Sequence, residues 1–598
     1  MDAISCVAIA AFESWIVSRF RLSEALEHGD PANQLDTKQI FWTLLCVRYF
    51  AVKYYRIFLY HKYFSPLRHI PGPTDNHPIL GQLLNEFRAP SPVSLYTKWR
   101  REHPSAPLIR HLSFANAEVL VATSLPAQRE ILQTQCYSFQ KSRIWNRLTR
   151  DITGDGISTL EGDAHRAHRR MLVAPFAAAN VRKRLGPVLK AKAREFCGLL
   201  DGLFVFDAEG GREENRGEGG EDRNTAVITD CVSLFSRATL DIVGIATLGV
   251  DLAHLGQTTR VACQPQSHKE KKTGHCTFHK AYEQIFTPDT LGKILLLLNA
   301  FLPTRWVPLA GNRRFRTATA WLRTALTELV RERRRDIVEA VAAGVYDGGE
   351  ARNLLSFLLE ESVLSSGSAE GLDEDLIIGD IMTFIGAGSD NPAMTIAWCL
   401  STMNKHPDAQ NKLREESTQL VTRSPDPSCA EIDALPYMDV FLKEVLRLYP
   451  PSNAVHREAI TDLTIEGVYI PKGTNFVIPL QCAGLNTAVW GDDADEFRPS
   501  RWERKGEKDP DWDPIDGNEQ HAAVSSSSSP FAFAAFSNGP RICPGKAFAL
   551  YEIKAILFEL VRRYRFLRIE GDFTLDNPSL NLRPRGMNIR FERIDACM

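Results

Sequence analysis

Phe536-Ser537-Asn538-Gly539-Pro540-Arg541-Ile542-Cys543-Pro544-Gly545 is the stretch on which the reading of this chain turns. It sets one cysteine in a glycine- and proline-rich loop that runs straight into an apolar helix starting near Lys546. A helix N-terminus carries partial positive charge and favours thiolate over thiol. Glycine, lacking a Cβ, lets backbone approach something flat and bulky. Arg541, two residues before the cysteine, can pair with a carboxylate. A lone cysteine is most often a small core residue, but the whole ten-residue pattern FxxGxRxCxG outweighs that interpretation here.

A thiolate, glycines, the aromatic Phe536 and an arginine together point to iron held by sulfur inside a haem whose propionates meet Arg541. On this pattern the chain resembles the cytochrome P450 family, the haem-thiolate monooxygenases of the eukaryotic microsomal type. The resemblance runs from about Pro66 to the C-terminus and rests on several motifs in family order. It implies haem b with Cys543 as axial ligand, and Phe536, Gly539 and Arg541 as cofactor contacts. Glu444-Val445-Leu446-Arg447 puts a carboxylate and a guanidinium three residues apart on one helix face. The resemblance makes Glu444 and Arg447 part of a structural triad completed by Arg501, in Phe497-Arg498-Pro499-Ser500-Arg501-Trp502. His165 and Arg169, four residues apart in Gly162 to Arg170, match a helix that reaches the haem propionates. Arg457 matches a strand arginine that does the same from the other side. Arg166 and Arg170 read as a solvated basic face.

Phe384-Ile385-Gly386-Ala387-Gly388-Ser389-Asp390-Asn391-Pro392 resembles the family's oxygen-binding stretch with two departures: Asn391 and Pro392 stand where two threonines are usual. Proline has no N–H for the carbonyl of Gly388, and its ring crowds that carbonyl, so a kink is expected beside Gly386 and Gly388. An amide donates well but relays protons poorly, which leaves Asp390 as the carboxylate that feeds protons through water. Asp390 and Asn391 are therefore the candidate catalytic residues. Substrate contacts implied by the resemblance are Trp145, Leu148, Ile152, Phe384, Ile385, Ala387, Ser452 to Val455 and Leu580 to Leu582, mostly apolar as for a lipophilic ligand.

Working outward, 598 residues with 44% hydrophobic and 24% charged content exclude a mostly disordered chain. Lys+Arg 71 against Asp+Glu 73 gives no field to draw in nucleic acid. Twelve scattered cysteines form no disulfide framework. Ala3 to Phe20 and Ile40 to Tyr63 are apolar but interrupted by charge, which suits an interfacial or snorkelling membrane segment. The basic cluster Lys53, Arg56, Lys62 and Arg68 places the downstream chain in the cytosol. Pro66 and Pro71-Gly72-Pro73 read as a stiff, extended linker. Residues 209–225, 257–276 and 503–530 read as solvated insertions. The middle one gathers Cys263, His268, His275 and Cys276 with nearby His279, which leaves a zinc site open as an alternative to a plain solvated loop, although the spacing is irregular and no apolar frame supports it.

Apolar periodicity predicts long helices over Thr317 to Ala343 and Glu374 to Asn404, with others over Asp439 to Leu448 and Gly545 to Arg563. Strand-like runs fall at Leu463 to Ile465 and Asn475 to Ile478. The expected fold is mainly α with a small β region: the triangular helical domain of the family enclosing haem. Residues 1–64 are the membrane-anchor region and 65–598 the catalytic domain. The expected activity is insertion of one oxygen atom from O2 into a lipophilic small molecule, at the endoplasmic reticulum membrane with the catalytic domain facing the cytosol. Electrons would come from NADPH through a separate NADPH–cytochrome P450 reductase, with cytochrome b5 as an optional second donor, since no Rossmann-type fingerprint appears. The competing readings are an O2-independent isomerase or dehydratase on the same fold, and a non-catalytic haem- or lipid-binding protein.

Overall fold

The computed structural model describes residues 37–208, 225–255, 278–302, 304–344, 353–366, 373–502 and 530–594. The first apolar stretch, and almost all of the three insertions, lie outside the described residues. Helices dominate: Thr37–Tyr54 (α1), Arg143–Thr153 (α2), Gly162–Val173 (α3), Gly186–Ala208 (α4), Cys231–Leu248 (α5), Phe278–Phe286 (α6), Thr290–Phe301 (α7), Ala310–Ala342 (α8), Glu374–Lys405 (α9), Pro436–Leu448 (α10) and Lys546–Arg563 (α11). The strands that frame the site are Leu108–Leu112 (β1), Glu118–Ala122 (β2), Phe139–Gln140 (β3), Thr225–Ile228 (β4), Ala454–Ala459 (β5), Asn475–Pro479 (β6), Tyr564–Glu570 (β7) and Asn588–Arg593 (β8).

Of the four sheets among the described residues, two frame the site. One runs β1-β2-β6-β5-β3, antiparallel except where β2 pairs β6 in parallel. The other is β4-β8-β7. Thr225, assigned to an insertion by its polar neighbours, instead opens β4 opposite Glu592. The main core gathers α4, α5, α8, α9, α10 and α11, with α9 and α11 at its centre. In α9 the residues from Ala393 to Met403 are all buried, as expected of a helix enclosed on every side.

α8 begins seven residues before the predicted start at Thr317. Asn312 anchors its first turn by donating to the carbonyls of Thr304 (2.8 Å) and Val307 (3.0 Å), and Phe315 is buried. These tertiary contacts stand in for the missing apolar period.

The proline segment is not an extended linker throughout. Pro66–His69 forms one tight turn capped by Ser65, whose hydroxyl accepts from Leu67 N–H at 3.1 Å and donates to Glu118 at 2.7 Å. Leu67 and Ile70 are buried, and Arg110 N–H donates to the carbonyl of Pro71 at 2.8 Å. Burying two apolar side chains outweighs the proline's preference for extension.

Candidate active site

The cysteine loop is closed by the N–H of Cys543, which donates to the carbonyl of Phe536 at 2.9 Å. Gly539 has φ +73°, and a Cβ there would lie 2.1 Å from the carbonyl oxygen of Leu132. The protein's own backbone therefore demands glycine at this position. Cys543 sits deep among protein atoms yet keeps open surface, so it borders an internal space. Burial pushes its thiol up, while the N–H of Gly545 and the charges of Arg169 and Lys546 pull it back. On balance the free thiol is favoured, so a thiolate here calls for a cation bound to the sulfur.

Beside the sulfur, β5, the cysteine loop and the start of α3 converge a set of cations. Arg169 on α3 donates to the carbonyl of Ile542 at 2.5 Å. Burial, and then the charges of Lys141, Arg541, Arg169 and Arg457, hold His165 down to about 3. Arg457 is lowered to about 10 by burial and then by Arg541, and burial brings Lys141 down to about 8. The carboxylate among them is Glu161, 2.6 Å from Arg541. Buried donors are left without a partner at Arg457 Nε, Arg541 Nε and Nη1, and His165 Nδ1. Such a set is costly alone and fits a ligand carrying two carboxylates, as haem does. His165, Arg169, Arg457 and Arg541 are thus brought together. Lys141 and Glu161 were missed in the sequence, and no spacing signal links them to position 541. Arg166, by contrast, is exposed and paired with Asp163 at 2.7 Å.

On α9, Asp390 is buried and accepts from the Ser236 hydroxyl at 3.2 Å, with Arg583 at 3.5 Å and Tyr282 beside it. Burial raises its carboxyl; Arg583, Ser236 and Tyr282 oppose the rise. These three partners come from α5, α6 and the C-terminal turn, and none was legible as a site residue. Asn391 Oδ1 is buried and unpartnered.

α9 runs as one helix to Lys405 with Pro392 inside it. Neighbouring groups tie this stretch down: the Thr239 hydroxyl donates to the carbonyl of Ser389 (2.8 Å) and that of Thr395 to the carbonyl of Asn391 (2.9 Å). Gly386 and Gly388 serve close packing, since a Cβ would meet the ring of Phe286 at 2.3 Å and Val243 at 2.6 Å respectively.

Of the expected substrate wall, Phe384 is stacked on Phe176 at 4.6 Å and Ile385 is wholly buried in the core. Ala387 keeps open surface. Trp145 stacks on His456 at 5.3 Å.

Behind the site, Glu444 accepts from Arg447 through both oxygens (2.7 and 2.8 Å), from Arg501 at 3.3 Å, from the Trp502 indole at 2.8 Å and from the Arg498 N–H at 2.9 Å. Arg447 also donates to the carbonyls of Gly484, Ala494 and Glu496. A buried carboxylate is tolerable when every lone pair is met in this way.

The family model of cytochrome P450 matches residues 70–589. The cytochrome P450 monooxygenase sphH of Aspergillus fumigatus is 30% identical over 522 residues, covering 86% of this chain and 85% of its own. Cytochrome P450 monooxygenase buaD of Petromyces alliaceus is 28% identical, covering 91% and 90%. The chain belongs to the cytochrome P450 family and is an oxidoreductase of the monooxygenase type.

Proposed function

We propose that the chain inserts one atom of O2 into a lipophilic small molecule, a secondary metabolite, with electrons from NADPH relayed by a separate reductase and cytochrome b5 as an optional second donor. The observation that carries the reading is Cys543, open to an interior space beside buried guanidiniums with unpartnered donors. Cys543 would hold the haem iron through its sulfur, and Arg541, Arg457, Arg169 and His165 would hold the haem carboxylates. The haem supplies thiolate-assisted oxygen activation when bound. Asn391 presents an amide that orders water, while Asp390, held by Ser236, Tyr282 and Arg583, is the carboxylate that feeds protons inward through water. Glu444, Arg447 and Arg501 lock the core behind the cofactor. Apolar open surface at Ala387 favours a lipophilic substrate.

The catalytic domain faces the cytosol at the endoplasmic reticulum membrane. Support comes from α1 and residues 55–64, which expose Trp42 (61%), Phe50 (67%), Tyr54 and Phe64 and bury nothing between Tyr55 and Phe64. α7 continues an apolar face with exposed Leu291, Ile294 and Leu298. It meets the N-terminal region through Phe301 on Phe114 (5.5 Å) and Asn116 donating to the carbonyl of Ile57 (2.8 Å). Among the described residues the helix long and apolar enough to cross a membrane is α5, which is mostly buried core, so the contact proposed is interfacial.

Isotope tracing tests the activity. Membranes holding the protein and a reductase are given NADPH, labelled dioxygen and a lipophilic extract. A new product carrying the label is expected, absent when Cys543 is replaced. An unlabelled product formed without NADPH would overturn the reading.

A further inference from the structure

Glu161 stands immediately before α3, four residues from His165, whose N–H donates to its carbonyl at 3.2 Å. Its side chain has two separate duties. Oε1 accepts the backbone N–H of Lys141 at 2.8 Å, and Oε2 pairs with Arg541 Nη2 at 2.6 Å. That same Nη2 donates to the carbonyl of Phe139 at 3.3 Å, while Nε and Nη1 of Arg541 are buried with no partner. Arg541 is thus held at one corner of its guanidinium and lies over the Tyr137 ring, 5.4 Å from its centroid, while Nε and Nη1 have no hydrogen-bond partner. Lys141 is fixed as well: its ammonium donates to the carbonyls of Ile157 (3.0 Å) and Leu160 (2.8 Å) and lies 3.8 Å from Glu161.

The charges around His165 decide what this is for. Lys141, Arg169, Arg457 and Arg541 all act on that ring. Against four cations stand one protein carboxylate and, on the haem-thiolate reading on which this inference rests, two haem carboxylates. The cluster then keeps one excess positive charge with Glu161 ionised and two without it. Arg541 and Arg457 already disfavour each other's charge, so an added unit of excess charge is felt strongly in this partly desolvated place.

We propose that Glu161 is a positioning residue for the cofactor: it aims Arg541 at a haem carboxylate and sets the electrostatic balance that tunes the iron's reduction potential. It touches neither substrate nor reacting atoms and acts through Arg541 and Lys141. Removing its charge leaves the site more positive, which favours the electron-richer ferrous state, so the midpoint potential rises. Removing its grip on Arg541 loosens the cofactor, because groups that orient first ligands typically change affinity by about tenfold or more.

The test uses the full-length haem-loaded protein. The ferric–ferrous midpoint is read by spectroelectrochemical titration, and haem loss by transfer to apomyoglobin. E161Q is expected to raise the midpoint and to speed transfer about tenfold, and E161D, which keeps the charge, to return the midpoint toward wild type. Lys141→Met, which removes a cation from the same cluster, should move the midpoint the opposite way and keeps the inference testable if E161Q does not accumulate. A wild-type midpoint in E161Q overturns the proposal even if haem is lost faster, since that pattern is merely structural. A midpoint unmoved by Lys141→Met overturns it too. If the wild-type protein itself shows no thiolate-type spectrum of the reduced carbon monoxide complex, the underlying haem-thiolate reading fails, a result distinguishable from either.

Discussion

At the scale of single residues, Cys543 combines burial with open interior surface. Burial alone would keep its thiol protonated, so its ligand role depends on the cation it binds. Cys543→Ala should abolish the thiolate-type spectrum of the reduced carbon monoxide complex; a retained spectrum would remove the ligand assignment. Asn391 is the second decisive position, with Oδ1 buried and unpartnered. Asn391→Thr supplies a hydroxyl whose single oxygen both accepts and donates, as proton relay requires, so coupling of NADPH consumption to product should equal or exceed wild type. A loss of about tenfold, against the 10²–10⁴ that positioned proton transfer is typically worth, would mean the amide itself is required. The cysteine, the arginines and the oxygen-helix motif were legible because their chemistry lies in short runs of sequence. Lys141, Glu161 and Arg583 were not, because each acts on a residue far from it in the chain.

At the scale of elements, α10 and the segment ending at Trp502 are joined through one carboxylate. Glu444→Gln strands the buried charge of Arg447, while Arg501 keeps Asp493 at 2.9 Å, and should cost about 3–5 kcal/mol. The check is a lowered melting temperature with reduced haem content, and an unshifted melting curve would contradict it. Strand β1 carries a different sensitivity. Burial holds His111 down to about 3, against an ordinary value of 6.5. Between those values the unfolded chain binds a proton that the folded chain refuses, so stability falls as pH drops through this window. Glu86, 3.8 Å away and pushed up to about 7 by burial, works in the opposite sense above pH 4.5. Comparing His111→Phe with wild type isolates the histidine: the variant should lose less melting temperature between pH 6 and 4, and equal losses would refute the assignment. The periodicity placed α9, α10 and α11 to within a few residues. The early start of α8 and the capped turn after Ser65 escaped it, since each is fixed by contacts made across the fold.

At the scale of the whole molecule, the N-terminal helices lie against the body through few but specific bonds, from Arg110 to the carbonyl of His61 at 2.6 Å and from Asn116 to that of Ile57. Deleting residues 1–54 should therefore lower the share of protein in the membrane pellet, with residues 55–64 and α7 retaining part of the contact, and leave its carbon monoxide spectrum intact. Deleting 1–70 should also destabilise it, because Leu67 and Ile70 are buried and each is worth roughly 1.5–3 kcal/mol. Equal stability of the two truncations would show that the capped turn contributes nothing. The sequence by itself determined the family and the helical class and singled out the cysteine proposed as ligand, because a glycine-rich cysteine loop, a paired carboxylate and a 3.6-residue period are local facts of the chain. Only the tertiary structure decided which charges face one another. It put Glu161 on Arg541, gave Asp390 the partners Ser236 and Arg583, and assigned Gly386 and Gly539 to close packing. The physical reason is that Coulomb energy and steric contact depend on distance in space, which chain separation does not encode.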